Sequence, residues 1–235
     1  MHQKLKSAVG AVFLLLTATN LYSQENLYEW FDNATGKTDI ALYNGPMYYN
    51  QYRSLDPSNN PFLGKDEFSL GDVIYDGQVF YNVPLKYDIK QDILLAQPIA
   101  GGNSKSIQLI SQRVNSFNLL GNKFVNISAS GFENTDFKSG YYEESVVNPT
   151  FTFYIKHRKN SREIINGKAL FSDFSVDDNF FVLKDSKIYQ VKSKKNVLSL
   201  FPELKTQIND YYKSKKSVDS QFMEDLFKYI NTILK

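Results

Sequence analysis

Histidine is the scarcest reactive residue in this chain, present at His2 and His157 and nowhere else, and cysteine is absent. Without a thiol there is no thiolate nucleophile or zinc ligand. A Ser-His-Asp relay would have to use His157, which is flanked by Lys156, Arg158 and Lys159. A relay base must accept a proton, and cationic neighbours disfavour its charged form. His157 therefore reads as a histidine in a surface turn. No Gly-x-Ser-x-Gly elbow and no Ser-x-x-Lys box occurs, which removes the commonest serine-nucleophile signatures.

Three other patterns approach a known chemistry and stop short. Gly36-Lys37-Thr38 matches the end of a phosphate-binding loop, but the glycine such a loop needs five positions earlier is Phe31. Asp56, Ser58, Asn60 and Glu67 fall at calcium-loop spacing, yet Pro61 holds the position where the loop turns on glycine. That segment reads as a surface loop with Asx turns. Glu143-Glu144 and Asp177-Asp178 are carboxylate pairs, but neighbouring strand residues face opposite ways. A glycosidase pair would have to be assembled from distant positions.

The residues with most to offer recognition are aromatic. Tyr28, Trp30, Phe31, Tyr43, Tyr48, Tyr49 and Tyr52 crowd into residues 28–52, and an exposed row of them would stack on sugar rings or grip a partner. Tyr28, Trp30, Tyr43, Tyr48, Tyr49 and Tyr52 are the candidate ligand-binding residues, with cross-strand packing as the competing use. The basic run from Lys156 to Arg162 reads as a solvated hairpin tip, with anion binding as its alternative. No cofactor and no metal site is expected.

The elements that would carry these residues follow from periodicity. Residues 1–23 have the plan of a signal peptide: Lys4 and Lys6, the unbroken run Ala8 to Leu16, and a polar exit ending at Ser23. The run is far shorter than the roughly 20 residues a membrane-crossing helix needs, so the mature chain is expected to begin near Gln24, exported to the periplasm or beyond. The chain has 27 basic and 25 acidic residues, and removing Lys4 and Lys6 leaves it neutral. A nucleic-acid partner is not expected from a neutral chain. With no cysteine after the label, neither a lipid anchor nor disulfides are available.

Residues 24–192 alternate apolar and polar side chains between turn signals, the pattern of half-buried strands. Asp76-Gly77 between Val73-Ile74-Tyr75 and Val79 to Val83 predicts a hairpin with a type I′ turn, and Pro84 predicts a strand end or bend. Further strands are expected at Ile107 to Ile110, Lys123 to Asn126, Tyr141 to Val147, Thr150 to Lys156, Glu163 to Ile165, Phe180 to Leu183 and Ile188 to Val191. From Ser193 the period turns helical, with Leu204, Ile208 and Tyr211 behind Pro202 and a second stripe from Phe222 to Ile233. The expected fold is mainly β (α+β): an antiparallel β-sandwich or open barrel followed by two or three C-terminal α-helices, with residues 193–235 packed on the β domain.

Leu42-Tyr43-Asn44-Gly45, the stretch from Tyr75 to Asp88, and Lys192 to Lys195 leading into Leu200-Phe201-Pro202 resemble an uncharacterised family of exported envelope proteins from Bacteroidetes-type bacteria. The resemblance covers most of the mature chain. It implies an envelope or secreted location and a shared fold, and transfers no activity, because these are turn and strand residues. The leading expectation is a non-enzymatic binding or structural module for an envelope protein or glycan. The alternatives are an exported hydrolase using scattered carboxylates and a purely structural envelope component.

Overall fold

The computed structural model describes residues 41–98, 105–132, 136–214 and 219–234. The proposed signal peptide, Tyr28, Trp30 and the Gly36-Lys37-Thr38 segment lie outside them. Twelve strands follow in order: β1 (Ser69–Tyr75), β2 (Gln78–Asp88), β3 (Ile93–Ala96), β4 (Ile107–Gln108), β5 (Val114–Leu119), β6 (Asn122–Ile127), β7 (Gly140–Asn148), β8 (Phe151–Lys156), β9 (Lys159–Asn166), β10 (Ala169–Val176), β11 (Asn179–Lys184) and β12 (Lys187–Gln190). Three helices close the chain: α1 (Lys194–Leu200), α2 (Lys205–Lys213) and α3 (Ser220–Ile233). The mainly β fold with C-terminal helices is the one expected, and its β part is a curled, half-closed barrel.

Ten strands form one antiparallel sheet in the order β12-β11-β8-β7-β6-β5-β1-β2-β3-β4. Its curl follows from the connection between β4 and β5. Three strands separate them in the sheet, about 19 Å at roughly 4.8 Å per spacing if the sheet were flat. The link is only Leu109 to Arg113, partly wound into a 3-10 turn over Ser111–Arg113. Such a short link cannot cross a flat sheet, so the sheet bends until its β4 edge approaches β5. Inside the curl, Val73, Tyr75, Leu85, Tyr87, Leu94, Phe117, Phe124 and Tyr141 form one buried core.

The Asp76-Gly77 hairpin is present, with φ of 51° and 78° at the two turn residues, as a type I′ turn requires. Pro84, expected at a strand end, lies inside β2 instead. The bend is at Asn82, where φ is 53° and the β1–β2 register shifts between Gly71 and Val73. A bulge leaves backbone groups outside the ladder, so a nearby proline is tolerated. Asp72 Oδ1 accepts the Asn82 N–H at 3.1 Å.

The β9–β10 pair stands apart as a two-stranded hairpin. It is pinned to the loop at residues 52–59, where Asn59 bonds both the N–H and the carbonyl of Phe174 and Tyr52 meets the Phe174 ring edge-on at 5.3 Å. Asp56 accepts the Ser58 N–H at 2.8 Å and Asn60 the Phe62 N–H at 2.9 Å, so the loop at calcium-like spacing is built from Asx turns.

The helices cover the far end of the sheet. α1 starts where Ser193 accepts the Asn196 N–H, and α3 where Asp219 accepts the Phe222 N–H at 2.8 Å, each a side-chain N-cap. Phe222, Met223, Leu226, Phe227 and Ile230 form one face of α3, and all are buried in a core shared with Phe151, Phe153, Ile155 and Val182. Phe227 stacks on Phe153 at 3.9 Å between centroids. The opposite face of β7, β8 and β11 carries a smaller aromatic cluster of Phe137, Tyr142, Tyr154 and Phe181. At the outer edges of the ten-stranded sheet, β12 has four residues and β4 only two; β4 is bridged by Met47 at Ile107.

Candidate functional site

Two charged clusters meet where β8 ends, one from each of two consecutive residues. The first is built on the turn between β2 and β3. Asp88, fully buried, accepts the backbone N–H groups of Lys90 and Gln91, the Gln91 side-chain amide and the Tyr48 hydroxyl. Those bonds fix the turn and set Asp92, at φ of 61°, facing β7 and β8. Asp92 Oδ2 accepts Lys156 Nζ at 2.6 Å and Oδ1 accepts the Tyr87 hydroxyl at 2.5 Å. Lys156 Nζ also donates to the Tyr141 carbonyl at 3.0 Å and lies 4.9 Å from the centroid of the Tyr142 ring. Burial pulls the Lys156 pKa below its ordinary value even though Asp92 opposes the shift. Burial and then Asp92 hold the Tyr87 phenol well above its own.

Gly140 makes the ion pair sterically possible. A Cβ at this position, where φ is +141°, would lie 2.0 Å from Asp92 Oδ2 and 2.7 Å from Lys156 Nζ. Above the pair opens a cleft of about 660 Å³. Its walls are amides from Gln91, Gln112, Asn115 and Asn126 and hydroxyls from Ser111, Ser128 and Ser139, with Asp92 and Tyr141 among them. Asn126 donates to the carbonyls of Ser111 and Val114 at 2.6 and 2.9 Å and so shapes the wall. Tyr141 is 1% exposed and its hydroxyl is closed to solvent. Burial raises the Tyr141 pKa to about 12, against a side-chain hydrogen bond with Ser111 that lowers it. Tyr75, electrostatically linked to Tyr141, has a buried hydroxyl without a partner.

The second cluster belongs to His157, which is not a surface histidine. Its side chain is 14% exposed, with Nε2 2.7 Å from Glu143 Oε2 and Nδ1 3.3 Å from Asp178 Oδ2. Burial alone would lower its pKa, but Asp178 and Glu143 overcome that and raise it to about 9. Asp178 also accepts Ser220 Oγ at 2.7 Å and the Arg158 N–H at 3.1 Å. Burial would raise its pKa, and the bonds and charge of His157 bring it below the ordinary value. Glu143 additionally accepts from Asn122 Nδ2 at 3.2 Å. The cluster thus ties β6, β7, the β10–β11 link and the start of α3 together. An imidazole protonated up to about pH 9 has no lone pair for a metal and cannot act as base near neutrality.

The remaining sequence candidates scatter. Tyr43 is half-buried against the barrel core, Tyr48 bonds Asp88 at 2.8 Å, Tyr52 packs on Phe174, and Tyr49 is 72% exposed. These four each engage a different part of the molecule. The basic run is not a solvated hairpin tip: Lys156 is buried, Lys159 Nζ bonds the carbonyls of Asn60 and Phe62 at 2.8 Å, and Arg162 pairs with Asp173 at 2.8 Å. Glu144 faces outward to Lys123 while Glu143 faces His157, as strand alternation requires. Sequence reasoning missed Asp92 and the amide wall, whose one visible signal was the turn Lys90-Gln91-Asp92. No helix among the described residues is long and apolar enough to cross a membrane. Comparison of the chain with protein-family models, curated proteins and solved structures gave no match.

Proposed function

We propose that this chain is an exported, non-enzymatic envelope or secreted protein that binds an envelope glycan or protein. One observation carries the reading: among the described residues, the carboxylates nearest the cleft and the only histidine after His2 are engaged with one another or with Lys156 and Tyr87, beside a wall of polar side chains. General acid–base work needs a group free to change its protonation during turnover. A hydrolase with Glu143 and Asp178 as its pair would need a substrate between them, where the imidazolium sits. The signal-peptide pattern and the resemblance to exported envelope proteins support the location. Assembly through α3 is the weaker alternative, because its apolar stripe is buried against the sheet.

The test uses the mature chain, begun at Gln24, incubated with envelope polysaccharide and with envelope protein extract. The expected result is saturable retention of one of them with no new reducing ends or amino termini. Cleavage that disappears in Glu143→Gln would make the chain a hydrolase. N-terminal sequencing of the secreted form should begin near Gln24.

A further inference from the structure

We propose that Lys156 and Asp92 condense spontaneously into an amide, a covalent cross-link that clasps the curled sheet. Such a bond would form whatever the chain binds. Asp92 sits in the β2–β3 turn and Lys156 ends β8, and the strands β7, β6, β5 and β1 separate β8 from β2 in the sheet order. A bond between them would tie the curl shut, in a chain with no cysteine for a disulfide.

The reacting atoms are already in place. Lys156 Nζ lies 2.6 Å from Asp92 Oδ2, so Cγ, one bond of about 1.2 Å further on, is at most about 3.8 Å from the nitrogen. That is close to the roughly 3–3.5 Å from which held groups react. Gly140 permits the approach, since a Cβ there would collide with both side chains. The lysine side chain is 10% exposed, and that burial lowers the proton affinity of its ammonium, as a nucleophilic amine requires. Two other pairs, Lys86–Asp66 and Lys123–Glu144, are as short, but Asp66 is 44% and Lys123 55% exposed. Water there keeps both partners charged.

The condensation balances within the pair. Lys156 passes one proton along its hydrogen bond to Asp92 Oδ2, leaving a neutral amine beside a carboxylic acid. The nitrogen lone pair then adds to Cγ, and negative charge gathers on Oδ1. The Tyr87 hydroxyl already donates to Oδ1 at 2.5 Å, where an oxyanion needs it. The nitrogen gives a second proton to Oδ2, the Cγ–Oδ2 bond breaks, and one water leaves into the cleft that Asp92 lines. The product strands no polar group. Its remaining N–H keeps the Tyr141 carbonyl, 3.0 Å from the nitrogen, and its carbonyl keeps Tyr87.

The experiment follows the intact mass of the mature chain, freshly made by cell-free synthesis in the cold, as it is warmed. The chain starts ion-paired, and a species lighter by one water should replace it. Digestion should then yield a branched peptide joining the segments that carry Asp92 and Lys156, uncut by trypsin after Lys156. Lys156→Arg keeps the charge, cannot form the lysine amide, and should stay at full mass. Tyr87→Phe keeps the ring and should slow closure about a hundredfold. If either variant folds poorly, the wild-type peptide map decides alone. A folded wild-type chain that keeps its full mass overturns the inference, and so does water lost elsewhere, as by ring closure at Asp76-Gly77.

Discussion

Lys156 and His157 are consecutive, both largely buried and both paired with carboxylates, yet their surroundings move them in opposite directions. At Lys156 a single carboxylate, shared with the Tyr87 hydroxyl, does not offset burial, and the ammonium loses proton affinity. At His157 two carboxylates act from opposite sides of the ring, and the imidazolium is favoured to about pH 9. Burial is common to both, so the number of opposing charges decides the sign. The two clusters also differ in access. Asp92 opens on a cleft, with its side chain 29% exposed, whereas Glu143 and Asp178 are 4% and 6% exposed. One cluster borders a place where a ligand can enter; the other fastens strands to a helix.

The strongest way to break the contrast is His157→Ala, which leaves two carboxylates buried without their cation. A loss of about 4 kcal/mol is expected, measured by denaturant unfolding at pH 7. The wild-type chain should show the same dependence through pH. A folded pKa of about 9 lies above the 6.5 of a free imidazole, so the stabilisation is complete below pH 6.5 and is lost as pH rises through 9. The loss should approach about 3 kcal/mol and should be missing from the His157→Ala profile. Asp178 runs the other way: its lowered pKa gives stability that is present above pH 3.8 and is lost as the solution is acidified below it.

Gly140→Ala strikes the Lys156 side, because the new methyl would overlap Asp92 Oδ2 at a φ of +141°. We expect a loss of about 2–3 kcal/mol from the ion-paired chain, measured by denaturant unfolding. The smallest effect, again from the ion-paired chain, should come from Lys156→Met. Asp92 keeps the Tyr87 bond and borders the cleft, so about 1–2 kcal/mol is expected. A loss as large as that of His157→Ala would erase the distinction between an open and a sealed pair.

The hairpin at Asp76-Gly77 and the helical tail were legible because each rests on local rules: turn residues that accept positive φ, and an apolar stripe at helical period. β5 was not, since Val114-Asn115-Ser116-Phe117-Asn118-Leu119 lacks strict alternation, and its turn uses Leu120-Gly121, with Leu120 at φ of 53°. β10 was missed as well. His157 was misread for a physical reason. Its sequence neighbours are cations, but Lys156 turns to Asp92 and Lys159 to two backbone carbonyls. The charges that act on the ring come instead from Glu143 and Asp178, on other segments, and only the folded sheet brings them there. The cleft was illegible for the same reason, because its amides come from three separate stretches, at Gln91, Gln112 to Asn115 and Asn126, and none forms a motif.

The half-closed sheet leaves two outer strands, and their length has a consequence for how the protein behaves when concentrated. An open ladder recruits a second copy through its unused rungs, and long flat edges are where aggregation begins. Here one edge has four residues starting at Lys187, and the other has two, already joined by the Met47 bridge and by the Tyr48 N–H to Ser106 and Gln108 N–H to Pro46 bonds at 2.8 Å. Few rungs of the ten-stranded sheet remain for strand-on-strand growth, so the half-closed barrel resists stacking end to end, and the longer open ladders are the eight-residue strands of the separate β9–β10 hairpin.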